Sequence, residues 1–257
     1  VSFPFSGGNA KPSTPPPYIT ARAAIVLHAN SGTVIYEKNP DVRYPVASTQ
    51  KLLTGLILAE AGNLNKSVRV AYADTTVEPT KMGIQSGEVY RKEDLLRAVM
   101  VRSSNDIANC LARDHAGSVP KFAAQMNQRA RSLGMRNSYF ANPSGLPGPT
   151  QFSTARDLSI LAVAAIQNPF LRQTVQTKSL FFRFPDGRTK TITNTNQVLL
   201  KNGYCTGMKT GYTNAAGRCL VSSGSTNGRN IIVVLLGSKT PNVWSESQAL
   251  LMWGLER

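Results

Sequence analysis

A serine three residues ahead of a lysine, Ser48-Thr49-Gln50-Lys51, is the arrangement in this chain best suited to covalent chemistry. A serine hydroxyl is a weak nucleophile until a base takes its proton, and a lysine serves as that base once burial keeps it neutral. Positions i and i+3 share one face of a helix. The residues that follow, Leu52, Leu53, Leu56, Ile57 and Ala59, describe one apolar helical face. The pattern predicts a helix from about Ser48 to Ala61 whose buried start desolvates Lys51. Ser48 then sits at the helix N-terminus, where unpaired N–H groups and the dipole favour a developing negative charge. A second copy of the spacing, Ser118-Val119-Pro120-Lys121, reads as an N-cap serine followed by an early-helix proline.

Two further groups carry suitable chemistry. Ser103-Ser104-Asn105 falls in the break between two helical patterns, and Lys209-Thr210-Gly211 lies on a late strand that ends in a turn. Each has an ordinary alternative, Ser103 and Asn105 as helix caps and Lys209-Thr210-Gly211 as a strand end. Ser225-Thr226-Asn227 repeats the S-x-N spacing but falls between strands and reads as a turn. The chain has two histidines, His28 in a strand-like run and His115 at a helix end, and neither adjoins a plausible serine. Both are expected to be structural. A Ser-His-Asp triad, whose members need not be sequence neighbours, is the competing arrangement.

These groups need elements to hold them. Residues 1–17 contain several Pro, Gly and Ser residues and end in Pro15-Pro16-Pro17, which predicts an extended arm ahead of a catalytic domain over 18–257. Ala23–Leu27 and Thr33–Tyr36 read as a hairpin about Asn30-Ser31-Gly32. Helical patterns follow at Glu93–Arg102, Asp106–His115, Val119–Leu133 and Ala155–Gln167, within a helical subdomain at about 65–170. Strands return at Leu180–Phe184 and Thr189–Thr193, around Pro185-Asp186-Gly187, then at Gly207–Thr210, Cys219–Ser223 and Ile231–Leu236. A last apolar helix covers about Asn242–Leu255. Strands, many helices, strands and a helix imply an α+β fold: one antiparallel sheet made from both chain ends, covered by helices, with a helical insertion between.

Composition narrows the function classes. At 41% apolar and 17% charged, the 257 residues suffice for a sizeable core. No apolar run approaches the ~20 residues of a membrane span. The sequence starts at Val1 without the charged-then-apolar pattern of a secretory signal, so any leader is expected to have been removed. A net charge of +15 attracts anionic partners: nucleic acid, an anionic membrane surface or a cell-wall polymer. Scattered basic residues and sparse aromatics argue against nucleic acid, and a solvated basic surface is the plainest reading. Cys110, Cys205 and Cys219 match no zinc spacing and read as small core residues, with a Cys205–Cys219 bridge as the alternative.

Taken in order, S-x-x-K, S-x-N and K-T-G resemble the signature of penicillin-binding proteins and serine β-lactamases. His28–Lys38, Tyr44-Pro45-Val46-Ala47-Ser48 and Met208–Gly217 are similar to the low-molecular-mass D-Ala-D-Ala carboxypeptidases, and the resemblance runs from Tyr18 nearly to the end. It implies a β-lactamase-like (transpeptidase) fold and a Ser48 acyl-enzyme formed with Lys51 as base. It gives Ser103 the proton relay to the leaving D-alanine and Asn105 a hold on Lys51 and the substrate amide. Lys209 and Thr210 attract the terminal carboxylate, with Gly211, Tyr212 and Thr213 lining the substrate strand. The backbone N–H groups of Ser48 and Tyr212 hold the oxyanion.

The same resemblance implies a peptidoglycan stem peptide as substrate, β-lactams as covalent inhibitors, no metal or organic cofactor, and an exported protein acting in the periplasm or on the outer face of the cytoplasmic membrane. D,D-endopeptidase or transpeptidase activity is the nearest alternative, and a non-catalytic basic wall-binding protein the non-enzymatic one. Class A β-lactamases deacylate with a glutamate between the second and third motifs. Between Asn105 and Lys209 this chain has no glutamate, only Asp106, Asp114, Asp157 and Asp186. Many carboxypeptidases of this group carry a histidine just before the Ser-Thr-Ala helix start, where this chain has Gln151-Phe152-Ser153-Thr154-Ala155. The carboxylate arginine on the strand after the third motif is expected at Arg229, or its place is taken by Asn230.

Overall fold

The computed structural model describes residues 14–148 and 150–257. The expected N-terminal arm therefore lies outside the described residues over 1–13. Its end is tied down where the Thr14 carbonyl accepts from Trp253 Nε1 at 3.2 Å and from Arg257 Nη2 at 2.9 Å.

β1 (Ala23–His28) and β2 (Val34–Lys38) form the first hairpin, and a 3₁₀ turn (Ala47–Gln50) leads into α1 (Lys51–Glu60). Next come β3 (Ser67–Arg69), α2 (Tyr72–Thr75), β4 (Val89–Arg91), α3 (Lys92–Arg102), α4 (Asn105–Ala116), α5 (Val119–Leu133) and α6 (Ala155–Gln167). α7 (Pro169–Val175) precedes a second hairpin, β5 (Ser179–Arg183) and β6 (Thr189–Thr193), followed by α8 (Gln197–Lys201). The chain closes on β7 (Cys205–Thr213), β8 (Gly217–Thr226), β9 (Arg229–Ser238) and α9 (Val243–Leu255).

The main sheet has five antiparallel strands in the order β2-β1-β9-β8-β7, so both chain ends build it, as expected from the sequence. Its central strands are apolar at nearly every position because helices cover both faces. Ile25, Leu27, Val221, Ile232 and Val234 face the core shared with α1 and α6, whereas Ala24, Val26, Leu220, Val233 and Leu235 face α9. β7 is left as an edge strand, and the 3₁₀ turn that leads into α1 packs against its face. Among the described residues no helix is long and apolar enough to cross a membrane.

Two details differ from the sequence reading, and the cysteines follow it. The last three strands run to nine or ten residues, because Thr, Gly and Ser residues that resemble turn signals pair in register. The helix expected from Ser48 begins with a 3₁₀ turn, and α-helical winding starts at Lys51. The cysteines are all free and buried. Cys219 pairs in register with Gly211, six residues along β7 from Cys205, a separation of about 20 Å at strand rise. The two also face opposite sides of the sheet, so no bridge joins them. Ser118 is an N-cap that accepts from the Lys121 N–H, and Ser225-Thr226-Asn227 runs from β8 into a turn where Asn227 has a φ of 50°.

Candidate active site

The 3₁₀ winding at Ala47–Gln50 matters because side chains at i and i+3 eclipse in that geometry. Lys51 is thereby aligned with Ser48, and its Nζ lies 2.9 Å from Ser48 Oγ. The same Nζ donates to Asn105 Oδ1 at 2.7 Å and to the Ser144 carbonyl at 2.6 Å. A neutral amine has two N–H groups and one lone pair. Asn105 and Ser144 take the two N–H groups, which leaves the lone pair for the Ser48 hydroxyl. Lys51 is fully buried, and burial pushes its amine well below the usual lysine range. The Lys209 cation acts in the same direction, and the Asp106 carboxylate opposes both.

Ser103 ends α3 in the left-handed conformation, with φ 68°, and α4 begins two residues later at Asn105. That break turns both side chains toward Lys51 and Lys209. Non-glycine residues adopt this conformation at a cost of about 1–3 kcal/mol, and a glycine here would lack the hydroxyl. Lys209 Nζ donates to Ser103 Oγ at 2.8 Å and to the Thr210 carbonyl at 3.0 Å. Burial brings the Lys209 amine down to about 7.

Gly211 is where β7 touches the turn that carries Ser48. A Cβ there would lie 2.9 Å from both the Ser48 nitrogen and the Val46 carbonyl oxygen, so only glycine lets the strand approach this closely. Tyr212, half exposed, stands at the rim, and Thr213 Oγ1 accepts from the Ala216 N–H in the turn beyond. Thr210 Oγ1 lies 2.6 Å from Thr195 Oγ1.

Sequence reasoning missed the loop that carries Ser144. Asn142 Oδ1 accepts from Ser144 N, Ser144 Oγ and Gly145 N, while its Nδ2 donates to the Leu146 carbonyl. Gln151 closes the loop from outside: its Oε1 accepts from Gln50 Nε2 and from the Ala141 and Asn142 N–H groups, and its Nε2 donates to the Leu146 carbonyl. The long stretch between α5 and α6, with its turn residues Asn142-Pro143-Ser144-Gly145, was the available signal, since long loops in compact domains are commonly functional.

Arg229 is a correction. Lys209 is level with Val221 and, through it, with Val234, whereas Arg229 lies five residues further along β9, about 17 Å away. Its Nη1 donates to the Leu255 carbonyl, and Asn230 pairs with Asn30. Neither reaches the site. Arg218 is better placed, since it lies directly opposite Tyr212 on the same sheet face as Thr210. Its guanidinium lies over the Tyr212 ring at 4.6 Å, and its Nε donates to Thr240 Oγ1. Arg102, Thr195, Lys201, Arg218 and Trp244 line a cleft of about 670 Å³ beside Thr210. Register, which a single sequence does not reveal, separates the two arginines.

The histidines stay apart from this chemistry. His115 packs edge-on against Phe122, and His28 sits at the sheet end that carries Arg229. All four aspartates between the second and third motifs are engaged elsewhere: Asp106 with backbone N–H groups of Met82 and Gly83, Asp114 with Lys66, Asp157 with Asn137 N and Ser138, and Asp186 with Arg188.

A serine and a buried lysine at a helix start, opposite a Lys-Thr-Gly edge strand, define a serine acyl-transfer enzyme with the penicillin-binding fold. A solved D-alanyl-D-alanine carboxypeptidase from Mycobacterium tuberculosis H37Rv superposes with a TM-score of 0.91 at 32% identity, over 96% of this chain and 95% of that one. The D-alanyl-D-alanine carboxypeptidase DacB2 of Mycobacterium tuberculosis is 33% identical over 94% of this chain and 84% of its own length. The D-alanyl-D-alanine endopeptidase of Escherichia coli K12 is 34% identical, over 86% and 72%. The family described as D-alanyl-D-alanine carboxypeptidase matches residues 9–240. The chain belongs to that family.

Proposed function

We propose that this protein removes the terminal D-alanine from peptidoglycan stem peptides through a Ser48 acyl-enzyme. The observation that carries the reading is Lys51, buried, with its Nζ within hydrogen-bond distance of Ser48 Oγ, Asn105 Oδ1 and the Ser144 carbonyl. Lys51 takes the Ser48 proton as Oγ attacks the carbonyl between the two D-alanines. The Ser48 and Tyr212 N–H groups hold the oxyanion, each donor worth ~3–4 kcal/mol. Ser103, linked to Lys209, passes a proton to the leaving amine, and Asn105 keeps Lys51 in place and meets the substrate amide. Water then hydrolyses the ester. Lys209, Thr210 and Arg218 receive the terminal carboxylate. The substrate lies outside the cytoplasmic membrane, so the proposed place of action is the periplasm or the outer face of the cytoplasmic membrane.

Incubation with penicillin, followed by intact mass and peptide mapping, tests the reading. One penicilloyl adduct is expected on Ser48 and none on Ser118. Recovery should be slow, because no glutamate between the second and third motifs activates water and the bulky penicilloyl group blocks its approach, where a small departing D-alanine does not; steady hydrolysis near ~10 per second would identify a β-lactamase instead. A protein with no adduct would be the non-catalytic wall-binding alternative.

The carboxylate assignment has its own test. Arg218→Gln is expected to lower kcat/KM on a D-Ala-D-Ala peptide by roughly 10- to 100-fold, as the loss of a charged hydrogen bond does. An amide-terminated analogue should not discriminate between the variant and the original, and Arg229→Gln should leave both substrates unaffected. Equal losses from the two substitutions would remove Arg218 from the site.

A further inference from the structure

Asp106 is fully buried in the first turn of α4, next to Asn105, and its carboxylate is held by backbone N–H groups. Oδ1 accepts from Met82 N at 3.0 Å and Ile107 N at 2.9 Å, and Oδ2 accepts from Met82 N at 3.0 Å and Gly83 N at 2.9 Å. Met82 and Gly83 belong to the long connection between α2 and β4, which has no regular structure of its own. A few residues earlier the same connection grips Asn105. The Thr80 carbonyl accepts from Asn105 N at 2.8 Å, and the Pro79 carbonyl accepts from Asn105 Nδ2 at 2.5 Å. Lys81, between the two grips, pairs with Glu78. A side-chain amide has a donor at one end and an acceptor at the other. With Nδ2 committed to Pro79, Oδ1 is the end that meets Lys51 Nζ.

We propose that Asp106 is a positioning residue for acyl transfer: by clamping residues 79–83 it fixes which end of the Asn105 amide faces Lys51, and so keeps the lysine aimed at Ser48. The inference rests on Lys51 as the base. When residues 79–83 shift, Asn105 loses its Pro79 partner and its amide is free to rotate. Nδ2 then donates to the lone pair that Lys51 needs for the Ser48 proton. A carboxylate suits the clamp because both of its oxygens accept and because a helix N-terminus favours negative charge. Asparagine has one acceptor oxygen, and its NH2 would oppose the N–H groups that converge here. The same carboxylate acts on Lys51 directly. Lys209 on β7 and Asp106 on α4 are the charged groups that act on Lys51, in opposite directions, while Ser48 Oγ, Asn105 Oδ1 and the Ser144 carbonyl at its Nζ are uncharged. Asp106 favours the protonated amine, so its removal lowers the pH at which Lys51 becomes neutral.

The test measures penicillin acylation of Ser48 across pH in the full chain, over the range where circular dichroism shows each variant folded. Asp106→Asn should lower the plateau rate by roughly 10²-fold, as a ~1 Å misplacement near reacting groups does, and should move the rise in rate to lower pH. Asp106→Glu keeps the charge on a longer arm that fits the three N–H groups poorly, so its plateau should fall while the rise stays in place. Asp114→Asn removes a carboxylate further along the same helix, where it pairs with Lys66, and should change neither reading. A double-mutant cycle then separates positioning from support of the fold. In an Asn105→Ala background, Asp106→Asn or Asp106→Glu should cost little more, because the residue through which Asp106 acts is already gone. Equal losses in both backgrounds would overturn the proposal. So would unchanged acylation by Asp106→Asn, or a rise that stays at its original pH in that variant. Absence of penicillin labelling in the unmodified protein, or full acylation by Lys51→Met, would sink the reading of Lys51 instead, so the two failures are distinguishable.

Discussion

Replacing Lys51 with arginine is expected to slow penicillin acylation of Ser48 by about 10³-fold, within the range that general-base catalysis contributes. Arginine does not give up its proton in proteins, so the variant keeps a donor to Asn105 Oδ1 and the Ser144 carbonyl but loses the lone pair that faces Ser48. Since the guanidinium is bulkier and the pocket is fully buried, Lys51→Met serves as the companion. It removes the base with little change in volume, and circular dichroism establishes that the fold persists. In the unmodified enzyme the base works only when neutral, so the acylation rate should rise with pH and level off above the Lys51 pKa. Burial and the Lys209 cation both lower that pKa, which puts the rise well below the ~10.4 of a free lysine. Lys209→Met removes the neighbouring cation and should move the rise to higher pH. Appreciable acylation by either Lys51 variant, or a rise at the free-lysine pKa, would exclude Lys51 as the base.

The parts of this site that the sequence revealed are those set by local rules. Ser48 and Lys51 share a turn, the strong apolar periodicity after them announces a buried helix, and the break between α3 and α4 falls where Ser103 and Asn105 lie. The sheet was equally legible, because Ile25, Val233 and Leu235 sit in runs too apolar for any place but a strand covered on both faces. What stayed hidden depends on contacts between distant segments. Arg218 and Arg229 both precede apolar strand runs, and only the pairing of Lys209 with Val221 and of Val221 with Val234 shows which one is near Thr210. The Ser144 carbonyl is a backbone group, and no residue type advertises a backbone acceptor. Gln151 closes the loop that carries this carbonyl, and its role emerges from four bonds to residues between 50 and 146.

That hidden loop gives the second large effect, at Gly145. Its φ is +85°, and a Cβ built there would lie 2.1 Å from the Ala47 carbonyl oxygen and 2.8 Å from the Ser48 nitrogen. Every close neighbour is backbone, so no side chain can turn aside to make room. The loop or the nucleophile's turn must move, and either shift draws the Ser144 carbonyl off Lys51 Nζ, now 2.6 Å away. Positive φ alone costs a non-glycine residue about 1–2 kcal/mol, and a displacement of ~1 Å at reacting groups costs about 10²-fold in rate. Gly145→Ala is therefore expected to lower the melting temperature and to reduce penicillin acylation by at least about 10²-fold. Gly148 supplies the control within the same loop: its φ is not positive, and a Cβ there would meet Ala141 Cβ at an ordinary 3.5 Å. Gly148→Ala should leave both readings near those of the unmodified protein. Because a destabilised fold also slows acylation, the measurement is made at a temperature where both variants are folded by circular dichroism. Equal acylation rates there would mean that Lys51 does not depend on the Ser144 carbonyl for its position, and the role given to this loop would be wrong.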